Sequence, residues 1–250
     1  MSDFNGNDGT HGHAQNIARF DGKLSLKLDA LEGGLLSVDF FSARFLHRVK
    51  TTGLKSDLAK ACSLKSLFNH TDRIHILDLT AGLGTDAVML ACLGASVTLI
   101  EREEAIHHLL SDGLIRASEG VSAEYKKNSA PIMTMVDHIQ TAVRERVDLQ
   151  PRQDSYDFLL HCKEDVYDCI YFDPMFPERK KAAKVKLAMQ VFHQVVGFDF
   201  EQDARILSLA MEKAKKRVVV KRSKHADFIG GKKPSYSLKL KALRYDIYLV

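Results

Sequence analysis

The sequence predicts an α/β fold: a mostly parallel sheet with helices on both faces. Three stretches predict it. Ile74–Leu79 is a short β-branched and leucine run, followed by the glycine-bearing turn Ala81-Gly82-Leu83-Gly84 and the helix-favouring run Ala87–Ala91. Strand, tight turn and helix in that order open a nucleotide-binding α/β unit. Ala95–Ile100 is a second strand, ending in the acidic Glu101. Tyr167–Phe172 is a fourth strand that runs straight into Asp173-Pro174-Met175-Phe176-Pro177.

The bulk properties fit this fold and exclude several classes. The chain has 250 residues, 45% hydrophobic and 27% charged, which is ordinary for a folded water-soluble domain. A net charge of +4 and a pI near 8.8 are mildly basic and weak evidence for a polyanionic partner. Four cysteines (Cys62, Cys92, Cys162, Cys169) form no C-x-x-C pair, so a reducing, cytoplasmic location is expected. No apolar run reaches the ~18 residues of a membrane span, and the polar N-terminus lacks a secretory signal, so no membrane association is expected.

Taken in order, residues 1–22 are rich in Gly, Asn, Asp and His and read as a mobile lead-in. His11-Gly12-His13 lacks further ligands nearby, and no metal site is expected. Leu24–Leu28 alternates with period two, and Glu32-Gly33-Gly34 then turns the chain into a return strand over Leu35–Phe40, giving a hairpin. Phe41–Lys55 interleaves Arg44, His47, Arg48, Lys50 and Lys55 with Phe41, Phe45 and Leu46. That pattern suits nucleic-acid contact or, equally, a solvated amphipathic helix. The expected organisation is a lead-in with a small hairpin and basic appendage over 1–55, and the main domain over 56–250.

A helix around Asp57–Ala61 leads to the first sheet strand. Gly82 and Gly84 let the following turn close tightly and approach a ligand. A third glycine at the next fingerprint position is missing; Ala87 stands there. Asp78 before the turn and Asp86 after it are poor company for a diphosphate and good company for an ammonium group. The pattern D-x-T-x-G-x-G-x-D resembles the first motif of S-adenosylmethionine (SAM)-dependent methyltransferases. Gly94 ends the first sheet helix, and Glu101 stands where an acid accepts ribose hydroxyls. A helix follows through Ile106, Leu109 and Leu110; residues 112–155 are the least legible, with a helix around Met133–Val147 and a polar loop near 150–155. Tyr156–Leu160 reads as the third strand, which makes Lys163 and Glu164 candidates beside an adenine.

The fourth strand delivers D-P-M-F, which resembles the [DNS]-P-P-[YFW] motif of methyltransferases acting on exocyclic amines. An exocyclic amine on a base is a weak nucleophile because the ring delocalises its lone pair. The Asp173 carboxylate and Pro174 carbonyl can accept its two N–H bonds, aiming the lone pair by position and electrostatics. Phe176 offers a face on which a flipped base stacks. Met175 departs from the proline usual at that place. Arg179, Lys180, Lys181 and Lys184 follow directly, and Lys221 and Arg222 close a fifth strand over Arg217–Val220. Ligands bind beyond the carboxyl ends of such strands, so both clusters are expected on one rim as phosphate contacts. Ser235–Leu240 and Arg244–Val250 supply two closing strands, the last one antiparallel.

D-L-T-A-G-L-G-T-D, I-E-R, Y-F-D-P-M-F-P, V-V-V-K-R and R-Y-D-I-Y together resemble one family, the bacterial ribosomal small-subunit methyltransferase J (RsmJ). The resemblance runs from about Gly33 to the C-terminus and fades over 112–155. It implies a Rossmann-like class I SAM-dependent fold with strand order 3-2-1-4-5-7-6. It also implies methylation of a guanine N2 in 16S ribosomal RNA, with the RNA or the small ribosomal subunit as partner. By the same resemblance SAM is held by Thr85-Asp86, Glu101-Arg102, the Lys163-Glu164 region and Asp173, although Thr85 stands where a basic residue is expected. Other readings remain open: an amino-methyltransferase of DNA adenine or protein glutamine, a nicotinamide-dependent oxidoreductase, and a non-catalytic RNA-binding assembly factor.

Overall fold

The computed structural model describes residues 17–28, 34–120, 129–174 and 199–250. The N-terminal strands β1 (Ile17–Phe20), β2 (Lys23–Leu28) and β3 (Gly34–Ser37) form a three-stranded antiparallel sheet. The hairpin is as the alternation predicts. β1, however, lies in the stretch expected to be a lead-in, where Asp21 and Gly22, both at positive φ, turn the chain back. Three helices follow, α1 (Ala43–Thr51), α2 (Asp57–Ala61) and α3 (Leu64–Leu67); the Ser42 and Ser56 side chains cap the first two.

The central sheet contains β4 (His75–Asp78), β5 (Ser96–Leu99), β6 (Val147–Leu149), β7 (Tyr167–Phe172), β8 (Ala214–Ser223), β9 (Tyr236–Lys239) and β10 (Leu243–Leu249). Its spatial order is β6-β5-β4-β7-β8-β10-β9, which is 3-2-1-4-5-7-6. Strands β4 to β8 pair in parallel, while β10 runs antiparallel to both β8 and β9. The middle strand β7 is buried along its whole length, as a parallel strand covered on both faces must be. Cys169 and Tyr171 point into one apolar cluster with Val219, beneath α4 (Thr85–Cys92), α5 (Glu104–Glu119) and α6 (Ala130–Arg146). Ile170 and Phe172 point into the other with Val218 and Val220, beneath α7 (Ser155–His161) and α8 (Phe200–Lys213). Among the described residues no helix is long and apolar enough to cross a membrane.

The N-terminal sheet docks on α5. Asp112 accepts the Leu24 N–H at 3.1 Å and pairs with Arg19 and Arg116, each at 2.8 Å. Gly113 lets Val38 approach: a Cβ there would stand 2.3 Å from Val38 Cγ1. Leu26, Leu36, Val38 and Phe40 thereby share a cluster with the sheet residues.

Two expected strands need correction. Tyr156–Leu160 is helical, within α7; Asp154 caps it by accepting the Tyr156 N–H at 2.7 Å. A five-residue apolar run carries no period that separates strand from helix, so the cap and the packing decided. The third strand is instead the three-residue β6, entered directly from α6 without a loop. The fifth strand is longer than expected, reaching Ser223, because β10 pairs with it as far as Leu243↔Ser223.

At the far side of that pairing Arg244 and Asp246 form a buried bond, Nε to the two carboxylate oxygens at 2.9 and 3.0 Å. Ser237 donates to the same carboxylate at 2.6 Å, and Arg244 also donates to the Ser223 and Lys224 carbonyls. This knot holds the carboxyl end of β8 in place.

Candidate active site

The carboxyl ends of β4, β5, β7 and β8 meet at one rim, and the two sequence motifs meet there. Gly82 and Gly84 both take positive φ, at 53° and 71°. A Cβ on Gly84 would stand 2.6 Å from Leu110 Cδ1 and 3.3 Å from Phe40 Cζ, so the N-terminal segment packs against the turn itself. Gly84 caps α4 without a side-chain bond, leaving first-turn N–H groups for a ligand.

Glu101 binds this turn to β5. Its Oε2 accepts the Gly82 N–H and its Oε1 the Glu103 N–H, both at 2.8 Å. Burial raises its carboxyl above the usual range, against those two hydrogen bonds. Asp78, 2% exposed, accepts the Thr80 N–H at 3.0 Å, and burial pushes its carboxyl up to about 8. Thr80 in turn accepts the Asp173 N–H through Oγ1 at 2.8 Å. One threonine thus ties the first motif to the second across β4 and β7.

Asp86 does something the sequence did not suggest. Its carboxylate turns inward, where Arg48 of α1 binds Oδ1 and Lys221 and Tyr171 donate to Oδ2 at 2.9 and 2.8 Å. Burial opposes its ionisation, but the Lys221 and Arg48 cations outweigh that and hold it well below the usual carboxylate range. With three donors already on it, this carboxylate is poorly suited to receive a ligand ammonium. Lys221 continues the chain, reaching Asp173 Oδ2 at 2.7 Å. Burial raises the Asp173 carboxyl; the Lys221 charge opposes that rise without cancelling it.

Several expected site residues therefore stand together: Asp78, Gly82, Gly84, Thr85, Asp86, Glu101, Arg102, Asp173 and Pro174. Thr85 is exposed at the first turn of α4. Arg102 joins a polar cluster with Glu103, Asp154 and Gln202. Lys163 and Glu164 do not belong there. They precede the amino end of β7, where Glu164 faces Lys213 at 3.4 Å, at the opposite end of the strands. The cause is the misread third strand: the residues that do follow β6 are Gln150–Asp154, with Gln153 N–H donating to the Glu101 carbonyl. Lys221 and Arg222 also differ from expectation. Both lie inside β8, Lys221 turned toward the two aspartates and Arg222 only 5% exposed, so neither is an open phosphate contact. Phe176, Arg179, Lys180, Lys181 and Lys184 lie outside the described residues. Arg48 reads from sequence as one of the basic residues of Phe41–Lys55, suited to nucleic acid or to a solvated helix face, and instead pairs with Asp86. Thr80 and Tyr171 were not singled out. Of these two, only Thr80 had a legible signal, its place inside D-x-T-x-G.

The site fits SAM on its own terms. A tight glycine turn, an uncapped helix start and a buried acid at the end of β5 suit a nucleoside bearing an amino acid. Comparison with known proteins points the same way. The SAM_MT family model, which describes SAM-dependent methyltransferases, matches residues 10–250. The chain is 39% identical to ribosomal RNA small subunit methyltransferase J of Cellvibrio japonicus, covering 86% of this chain and 75% of that protein. It is 37% identical to the like-named protein of Haemophilus influenzae, covering 93% and 82%. A crystal structure of a SAM-dependent methyltransferase from Neisseria gonorrhoeae superposes with a TM-score of 0.63 at 31% identity, covering 91% of this chain and 79% of that one. The rRNA methyltransferase aviRa of Streptomyces viridochromogenes, at 13% identity and a TM-score of 0.51 over 78% and 85%, shares the fold alone.

Proposed function

This chain belongs to the ribosomal RNA small subunit methyltransferase J family of SAM-dependent methyltransferases, and from that premise we propose that it methylates N2 of a guanine in 16S ribosomal RNA. It uses SAM as methyl donor. The observation that carries the reading is the position of Asp173-Pro174 at the carboxyl end of β7, joined to the glycine-turn motif by the Asp173 N–H to Thr80 bond of 2.8 Å. When bound, SAM supplies an electrophilic methyl carbon on a sulfonium that departs as a neutral thioether. Asp173 and the Pro174 carbonyl accept hydrogen bonds from the two N–H groups of the amine and orient its lone pair. Once nitrogen holds the methyl group, it gives up one of those protons to the Asp173 carboxylate, which is partly open to solvent. Phe176 stacks on the extruded base. The protein acts in the cytoplasm on the RNA or on the small ribosomal subunit.

Glu101 is the ribose partner in this reading. Glu101→Ala is expected to weaken SAM binding by about 1.5–3 kcal/mol, the value of charged hydrogen bonds. Because Glu101 also holds the Gly82 N–H, Glu101→Gln is the informative companion: it keeps an acceptor for the turn and loses the charge. Calorimetry giving wild-type SAM affinity for both variants removes Glu101 from the site.

For phosphate contacts the reading turns to Lys180 and Lys181 after the catalytic motif, and to Lys224, Lys239 and Lys241, which are exposed at the carboxyl rim beside β8. Neutralising Lys180 and Lys181 should weaken RNA binding at every sequence. It should also flatten the salt dependence by about 0.7–0.9 of slope for each phosphate the variant no longer neutralises. A double variant with an unchanged slope makes that pair a solvated surface.

The overall test is mass-spectrometric mapping of modified nucleosides in ribosomal RNA from cells with and without the protein. Loss of one N2-methylguanine from 16S RNA is the expected result. Labelled SAM offered with RNA, DNA or protein separates the DNA-adenine and protein-glutamine alternatives, and absence of turnover on all three would leave the assembly-factor reading.

A further inference from the structure

Lys221 occupies an unusual position for a strand lysine. It sits inside β8, opposite Tyr245 of β10, and its ammonium bridges Asp86 Oδ2 at 2.9 Å and Asp173 Oδ2 at 2.7 Å. Asp86 is itself fixed by Arg48 and by the Tyr171 hydroxyl. Arg48, Asp86, Lys221 and Asp173 therefore alternate cation and anion from α1 to the catalytic motif. Three donors keep Asp86 an anion, and that anion gives Lys221 a second partner besides Asp173. Lys221 thus has a fixed seat, whatever the state of Asp173.

We propose that Lys221 is a positioning residue for methyl transfer: it claims one carboxylate oxygen of Asp173, fixes the rotation of that carboxylate, and leaves the other oxygen to accept the N–H of the substrate amine. This rests on the reading of Asp173 given above. An aspartate that accepts one N–H, beside a proline carbonyl that accepts the other, needs only one free oxygen. A second free oxygen would let the carboxylate swing and bind the amine in more than one pose. The bridge also supplies the charge that keeps Asp173 an acceptor. The titratable and charged groups whose charges act on Asp173 are Asp78 on β4, Asp86 on α4, Tyr171 on β7, Lys221 and, from the other face, Arg222 on β8, and Tyr245 on β10, with Arg48 of α1 bonded to Asp86. Burial and the neighbouring anions favour the protonated acid, which donates where the amine needs an acceptor; Lys221 is the closest group acting against that. Arg222 works in the same direction from the opposite face of the strand.

Asp173 is useful when ionised, so methyl transfer falls as pH drops through its pKa. Removing the lysine raises that pKa and moves the acid limb of the pH–rate profile upward by about 1–3 pH units, the usual effect of a neighbouring cation on an aspartate.

The experiment is single-turnover methyl transfer to small-subunit RNA across pH, with RNA and SAM affinities measured beside it. The variants are Lys221→Met, Lys221→Gln and Lys221→Arg, each in the wild-type and Asp173→Asn backgrounds. Lys221→Met should lower the neutral-pH rate by about tenfold or more, with the acid limb displaced and both affinities nearly unchanged. Lys221→Gln should show the same displacement, and it carries the test if the methionine variant does not fold. Lys221→Arg should restore most of the rate. In the Asp173→Asn background, where no carboxylate remains to be held ionised, the same substitutions should cost little; such non-additivity marks two groups acting as one unit. A loss equal at every pH, with the limb unmoved, overturns the proposal in favour of a structural role. A loss confined to RNA affinity and its salt slope overturns it in favour of a phosphate contact. If Asp173→Asn is impaired while the lysine variants are normal, the lysine proposal alone fails. If Asp173→Asn keeps the wild-type rate, the reading of Asp173 falls and this one with it.

Discussion

Asp173→Ala is expected to cut single-turnover methyl transfer by about 10²–10³-fold, the cost of losing one preorganised polar group at a reacting centre. RNA binding should largely survive, because phosphate contacts supply most of the affinity and none is asked of Asp173. The fold should survive as well. The Asp173 side chain is about one-third exposed, and Lys221 keeps Asp86 as a partner when Asp173 is gone. Asp173→Asn should fall between, since the amide retains one acceptor oxygen but no charge. Rates at saturating RNA, with thermal unfolding as the control, check this. Near-normal turnover of the alanine variant would end the catalytic assignment, whereas lost RNA binding with intact chemistry would make Asp173 a gripping residue.

The largest stability effect is expected from Asp246→Ala. Asp246 is fully buried and takes both bonds from Arg244, itself only 6% exposed. Without the carboxylate, the guanidinium stays in the core with the Ser223 and Lys224 carbonyls and the Phe228 ring, 4.9 Å away, and no anion bonded to it. Breaking a buried pair from one side typically costs about 3–5 kcal/mol, because the surviving charge is uncompensated. In a chain of this size that lowers Tm by about 6–20 °C. Asp246→Asn should cost less, as it still accepts from Ser237 and Arg244. Denaturant titration gives the free energy directly; a loss below about 1 kcal/mol would mean that water or a neighbouring acceptor reaches Arg244.

The sequence by itself determined the α/β class, the strand order through resemblance, the glycine turn and the strand that ends in Asp173-Pro174. Those features are written locally. A positive-φ turn needs glycine at Gly82 and Gly84, and a strand buried on both faces reads as a largely apolar run such as Tyr167–Phe172, whose one charge, Asp168, is buried with the His75 N–H and Lys215 as partners. Tertiary structure alone decided the rest. Tyr156–Leu160 is long enough for either a strand or little more than one helical turn, and it became part of α7 because Asp154 caps that helix and Leu159 packs beneath α8. That choice moved the loop after the third strand from Lys163-Glu164 to Gln150–Asp154. Lys221 and Arg222 read as a surface pair because sequence shows charge but not direction. Alternation along a strand extended by β10 sends Lys221 to the site and Arg222 to the opposite face. Asp86 reads as open for a ligand for the same reason. Its partners, Arg48, Tyr171 and Lys221, stand 38, 85 and 135 residues away, and only folding brings their charges within hydrogen-bonding distance of one carboxylate.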